Sequence, residues 1–206
     1  MQSHHITVRK TARYYTLGTL SEKTREIWFV IHGWAQLAEP YLNEFKAMDD
    51  GSRFFIAPEA LNKFYIRTGK PEVGATWMTR EDREAEMADY IAYLNTLYDS
   101  FPLVGHSARI VVLGFSQGVA TASRWAYQNS RKIDSLVFWA GEPGNELQNA
   151  ASIAAFNKTR NYFVWGKEDQ FVNELNIQRF KDMLTGFEFI SFDGKHEINT
   201  EVLTAL

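Results

Sequence analysis

Short apolar runs alternate with amphipathic stretches along most of the chain. Glu26–Ile31 (EIWFVI), Arg53–Ala57 (RFFIA), Arg109–Leu113 (RIVVL), Ser135–Ala140 (SLVFWA), Asn161–Trp165 (NYFVW) and Phe187–Phe192 (FEFISF) are rich in β-branched and aromatic residues. Each is followed at once, or one residue later, by glycine or proline. Such runs predict strands. Between them lie segments with helical spacing. In Thr79–Tyr98, Met87, Ile91, Leu94 and Tyr98 fall on one face, Thr79 suits an N-cap, and Glu81 and Asp82 suit the positive helix end. Further helices are predicted from Val119 to about Asn129, over Glu174–Leu184 and over Glu197–Leu206. His5–Leu17 alternates loosely and predicts an antiparallel hairpin or edge strand.

Strand–helix alternation predicts an α/β fold with a mostly parallel central sheet covered by helices on both faces. The nearly unbroken apolar strands agree, because a parallel strand is buried on both sides. The 206 residues show no repeat or linker, so one domain spanning 1–206 is expected. Only a short helix fits between Gly141 and Asn161, so no large lid domain is expected. The roughly 20 residues before the helix at Thr79 are long for a plain connection, and Arg67–Thr79 is a candidate partial lid.

Composition narrows the chemistry. The net charge is −3 and no run of Lys or Arg forms a basic face, which argues against nucleic acid as a partner. No window approaches the roughly 18 apolar residues of a membrane span. The N-terminus MQSHHITVRK lacks a signal-peptide core, so a soluble, cytoplasmic protein is expected. There is no cysteine, which excludes disulfides, thiolate metal sites and a cysteine nucleophile. No metal or organic cofactor is called for, and the oligomeric state stays open. Aromatic residues make up 15% of the chain, so a ring-rich core or pocket is expected.

In an open α/β sheet, ligands bind beyond the carboxyl ends of the strands. Reading only those ends brings out a pattern. His32, Gly33 and Trp34 follow the first central strand. Ser116 follows Leu113, Lys167-Glu168-Asp169 follow Trp165, and Asp193-Gly194-Lys195-His196 follow Phe192. A serine, an acid and a histidine thus follow three strands in that order.

Gly114-Phe115-Ser116-Gln117-Gly118 has the Gly-x-Ser-x-Gly form of a nucleophile elbow, with a strand before it and a helix after it. The sharp turn lifts the serine oxygen above the sheet edge. Bulky residues two before or two after would collide with the neighbouring strand or helix. A serine hydroxyl needs a base, and His196 is the candidate. The base needs an acid on its other ring nitrogen; Asp169 is preferred, with Glu168 and Asp193 as rivals. Oxyanion donors are expected from the backbone N–H of Gln117 and of Trp34 in the His32–Ala35 turn. His32 is expected to be structural. Trp34, Phe115, Trp77, Met78 and Phe171 are candidate pocket walls.

On these residues the chain resembles the α/β-hydrolases, nearest the small carboxylesterase, phospholipase and acyl-protein thioesterase group. His32-Gly33, GFSQG, Asp169 after Trp165-Gly166 and the late His196 carry the resemblance, which covers about 27–196. Departures are Trp34-Ala35-Gln36 where the group has a second glycine and an acid, Gln170-Phe171-Val172-Asn173 where valine and proline often follow the acid, and Asp193-Gly194-Lys195 in place of a glycine pair before the histidine. The resemblance implies a serine hydrolase acting on small-molecule carboxylic esters or thioesters of small to medium acyl groups. The alternatives are a noncatalytic hydrolase-like binding protein, and a serine peptidase or acyltransferase using the same residues.

Overall fold

The structure, a computed structural model, describes every residue except 129, 150, 151, 153, 154, 157 and 158. Among the described residues the strands are β1 (Tyr14–Leu17), β2 (Glu26–Ile31), β3 (Arg53–Pro58), β4 (Asn62–Tyr65), β5 (Val73–Thr76), β6 (Arg109–Phe115), β7 (Ser135–Trp139), β8 (Arg160–Gly166) and β9 (Phe187–Phe192). The helices are α1 (Ala38–Leu42), α2 (Arg83–Asp99), α3 (Gln117–Gln128), α4 (Glu174–Met183) and α5 (Thr200–Thr204). Seven strands form one sheet in the order β1-β3-β2-β6-β7-β8-β9. All pairings are parallel except the edge strand β1 on β3.

The period-2 alternation of side chains divides the core into two layers. Ile27, Phe29, Ile110, Val112, Leu136, Phe138 and Phe163 face α2, α3 and α4, where they meet Leu94, Trp125 and Phe180. Trp28, Val30, Val111, Leu113, Val137, Trp139 and Val164 face α1, the 3₁₀ turn Asn43–Met48 and α5, meeting Tyr41, Phe45 and Leu203. Much of the aromatic content goes here. Trp28, Trp125, Trp139, Phe29 and Phe138 are almost fully buried, each contributing roughly 1.5–3 kcal/mol against exposure.

The pairing registers bring the strand ends to a common edge. Ile31 pairs with Gly114, Phe115 with Trp139, Trp139 with Val164 and Gly166 with Phe192. The turns carrying His32, Ser116, Asp169 and His196 therefore leave the same side of the sheet.

Four local expectations change. Only Tyr14–Leu17 of the predicted N-terminal strand pairs, because residues 1–13 lie outside the sheet. Helix α2 starts at Arg83, after Asp82 in a left-handed conformation (φ 49°). Thr79 does not cap it: its N–H and hydroxyl are held 2.5 and 3.3 Å from the Glu86 carboxylate, in a turn ahead of the helix. The C-terminal helix is shorter, Thr200–Thr204. The stretch containing Arg67–Thr79 is largely a β-hairpin, in which β4 pairs antiparallel with β5 from Asn62↔Thr76 to Tyr65↔Val73. Its tip closes through Ile66 N–H to Glu72 O (2.9 Å). The predicted end of α3 at Asn129 and much of the short helix expected between Gly141 and Asn161 lie outside the described residues. No described helix is long and apolar enough to cross a membrane.

Candidate active site

Ser116 has φ 53°, a left-handed conformation rare for a residue with a side chain. Holding it costs about 1–3 kcal/mol, so the surroundings must fix it. Its N–H donates to Trp139 O at 2.9 Å, tying the turn to β7. The flanking glycines are needed for close backbone approach. A Cβ on Gly114 would stand 2.4 Å from Gly118 O, and one on Gly118 would stand 2.1 Å from Ile31 O. Both lie inside any real contact distance, so strand, turn and helix pack this tightly only with glycine at both positions. Gly141 is under the same constraint from Ser116 O, at 2.2 Å, a contact absent from the sequence reading.

Asp169 and His196 meet. His196 Nδ1 lies 2.7 Å from Asp169 Oδ2. The other oxygen, Oδ1, accepts from the N–H groups of Phe171 (2.7 Å) and Val172 (3.2 Å). A buried carboxylate with both oxygens occupied is fixed in direction. It holds the ring as the Nδ1–H tautomer, with Nε2 free to accept a proton. The loops carrying the pair are laced together: Lys167 N–H donates to Phe192 O and Glu168 N–H to Gly194 O, both at 2.9 Å. The His196 ring sits against Phe115 (4.9 Å between centroids) and Phe171 (4.7 Å). The two rival acids stand away from His196. Glu168 is exposed, and Asp193 is exposed and paired with Lys167 at 2.7 Å. No hydrogen bond joins Ser116 Oγ to His196 among the described residues. Such bonds are commonly long in free enzymes and tighten with substrate.

The turn after β2 is held from three sides. Gly33 N–H donates to Gln36 Oε1 (2.7 Å). Ala35, at φ 63°, donates to Ala75 O (2.9 Å), while Ala75 N–H returns to Gln36 O (3.2 Å). Gln36 N–H turns back to Gly33 O (3.4 Å). In this run the N–H of Trp34 alone has no partner among the described residues. Gln117, first residue of α3, likewise has no intrahelical acceptor for its N–H. The hairpin that includes the candidate partial lid Arg67–Thr79 thus braces this turn.

His32 anchors the turn from below. It is fully buried; Nδ1–H donates to Gly33 O (2.7 Å) and Nε2 accepts from Ala60 N–H (3.0 Å). Burial pushes its pKa down to about 4, so the ring is neutral at pH 7 and structural, as expected. The Gln117 side chain was missed as a positioning group. Its Oε1 accepts from Trp77 N–H (3.1 Å) and its Nε2 donates to Met78 O (3.0 Å), pinning the residues after β5 to α3. Nothing in the GFSQG pattern itself signals this, because the partners lie about 40 residues away.

Of the candidate pocket walls, Trp34 and Met78 border one hollow of about 430 Å³, and Phe171 borders a second of similar size next to Ser116. Trp34 is 58% exposed and stacks on Phe64 of β4. Trp77 is a correction: it is a core residue, 1% exposed, donating from Nε1 to His32 O at 2.9 Å. Phe115 is also buried, under His196, where it stacks with Tyr41. A larger cavity of about 740 Å³ lies away from this site, between residues 5–14 and α2.

The architecture is that of known hydrolases. The crystal structure of esterase PE8 aligns with 95% of this chain and 97% of its own at a TM-score of 0.72 and 17% identity. Acyl-protein thioesterase 2 of Zea mays aligns with 95% of this chain and 99% of its own, TM-score 0.70, again at 17% identity. A thioesterase domain from the curacin biosynthetic pathway covers 93% of both chains at TM-score 0.65 and 10% identity. The chain thus has the α/β-hydrolase fold. No protein-family model matches the sequence, and no curated protein is similar to it.

Proposed function

We propose that the protein is a serine hydrolase that cleaves carboxylic esters or thioesters of small to medium acyl groups. The observation that carries this reading is the Asp169–His196 pair at the same sheet edge as the strained Ser116. The structural similarity to an esterase and to thioesterases supports it. A cysteine-free chain with no spanning helix among its described residues suits work in the cytoplasm.

Ser116 Oγ attacks the substrate carbonyl while His196 Nε2 takes its proton. Asp169 holds the ring tautomer and stabilises the imidazolium. The N–H groups of Trp34 and Gln117 receive the oxyanion. The C–O or C–S bond then breaks as His196 returns the proton to the leaving atom, giving an acyl-Ser116 ester. Water, deprotonated by His196, releases the acid and restores the serine. An active-site fluorophosphonate should label wild type at Ser116, and Ser116→Ala should lose both labelling and turnover while keeping its circular dichroism. Near wild-type ester hydrolysis by Ser116→Ala would exclude this mechanism. Failure to label a folded wild type would favour the noncatalytic binding reading.

A further inference from the structure

Two hollows share Gln117, Ala120 and Glu142 as border residues, and Ser116 borders one of them. The first is walled by Phe171, Val172 and Phe180. The second holds Trp34, Met78, Arg80, Thr121 and Arg124. Acid–base chemistry distinguishes their roles. His196 must deliver a proton to the departing oxygen or sulfur. The leaving group therefore sits on the His196 side, over Phe171, whose ring lies 4.7 Å from the imidazole. The acyl chain, on the opposite side of the carbonyl carbon, then points into the second hollow.

That hollow has an unbalanced set of charges. Arg124, almost wholly buried, is paired with Glu146, which also receives Arg83 at 2.6 Å. Glu142 is paired with Arg179. Both carboxylates are thus already held by arginines. Arg80 stands exposed at the same hollow with no ion pair or hydrogen bond among the described residues. Thr121, which borders the same hollow, is fully buried, and its Oγ1 has no hydrogen-bond partner among the described residues. Buried hydroxyls are ordinarily satisfied, and an orphaned one beside a cavity marks a place for a ligand acceptor. Trp34, Met78 and Ala120 add carbon to the border of the same hollow.

We propose that this hollow selects an acyl group ending in a carboxylate, so that the preferred substrate is a half-ester or half-thioester of a short dicarboxylic acid. The methylenes lie along Trp34 and Met78, and the carboxylate accepts from the Arg80 guanidinium and the Thr121 hydroxyl. The inference rests on the serine hydrolase reading of the same site.

The test compares two substrates of equal chain length, the 4-nitrophenyl monoester of adipic acid and 4-nitrophenyl hexanoate, with the uncatalysed rate of each subtracted. Wild type should favour the adipate monoester in kcat/KM by about tenfold, as expected for one charge-assisted contact. The preference should shrink as salt is raised, because Arg80 is exposed. Arg80→Gln should bring the ratio of the two kcat/KM values close to one, Arg80→Lys should keep part of it, and Thr121→Val should lower it. Turnover of both esters with no preference for the carboxylate, or a ratio unchanged in Arg80→Gln, overturns this inference alone. A folded wild type inert to both esters and unlabelled by fluorophosphonate overturns the hydrolase reading and this inference with it.

Discussion

Gly74 of β5 presses against Ala35 so closely that a Cβ on it would stand 2.5 Å from Ala35 O and 2.7 Å from Ala35 Cα. The atoms it would meet are backbone, so the turn itself would have to move. That turn carries the N–H of Trp34, which the proposed mechanism aims at the oxyanion. A displacement of about 1 Å in a catalytic group costs on the order of 10²-fold. Gly74→Ala should therefore lower kcat by about 10- to 100-fold while the protein stays folded by circular dichroism. Unchanged kcat would mean that the hairpin does not set the position of the oxyanion donor.

The sheet was readable because its strands are short, apolar and ended by glycine or proline, and their nearly unbroken apolar runs fit burial on both faces. The candidate site was readable for a related reason: Ser116, Asp169 and His196 each follow such a strand, and one sheet edge collects them. The hairpin was not readable. The β4 and β5 strands have mixed burial and little apolar contrast, and their stability comes from each other and from the Ala35–Ala75 backbone pair. Trp77 was misplaced for the same reason. A tryptophan in a supposed loop reads as pocket lining, whereas β5 and the His32 carbonyl draw it into the core. The brace supplied by the Gln117 side chain depends wholly on that unpredicted hairpin.

Gln117→Leu keeps the volume of the side chain and removes its hydrogen bonds. The N–H of Trp77 then loses its acceptor in a buried place. An orphaned buried donor costs about 1–3 kcal/mol. For a chain of this size each kcal/mol lowers Tm by about 2–4 °C. Calorimetry of the purified variant checks the fall; a Tm equal to wild type would show that the Thr76–Met78 segment is held by its other contacts.

His32 makes stability depend on pH. Burial holds its folded pKa at about 4, below the roughly 6.5 of an unfolded histidine. Between these values the unfolded chain binds a proton that the folded chain refuses. The stabilising contribution is full above pH 6.5 and is lost as pH falls toward 4, by about 3 kcal/mol at most. Urea midpoints should drop from pH 7 to pH 5 more steeply for wild type than for His32→Gln, which is neutral throughout. Parallel curves would mean that the slope comes from other groups.

The acid of the proposed triad is separable from its neighbours by substitution. Asp169 alone among the three candidates reaches His196 Nδ1. Asp169→Asn removes the charge that stabilises the imidazolium and favours the wrong tautomer, with an expected loss in kcat of about 10³–10⁴-fold. Glu168→Gln and Asp193→Asn alter exposed carboxylates away from the ring, so their kcat should stay within about threefold of wild type. A large loss in Glu168→Gln with Asp169→Asn near wild type would reverse the assignment.

Thr121 offers a test of whether its buried hydroxyl is kept for a ligand. Folding gains nothing from it, because Oγ1 is desolvated without a partner among the described residues. Replacing an unsatisfied polar group by an apolar one of the same shape removes that penalty. Thr121→Val should therefore fold at least as stably as wild type, by up to about 1 kcal/mol in urea denaturation. The same variant is expected to discriminate less well between the adipate monoester and hexanoate. A group that costs stability and supports substrate choice behaves as a binding residue. Should Thr121→Val instead be destabilised by several kcal/mol, the hydroxyl has a structural partner and is no donor to a substrate carboxylate.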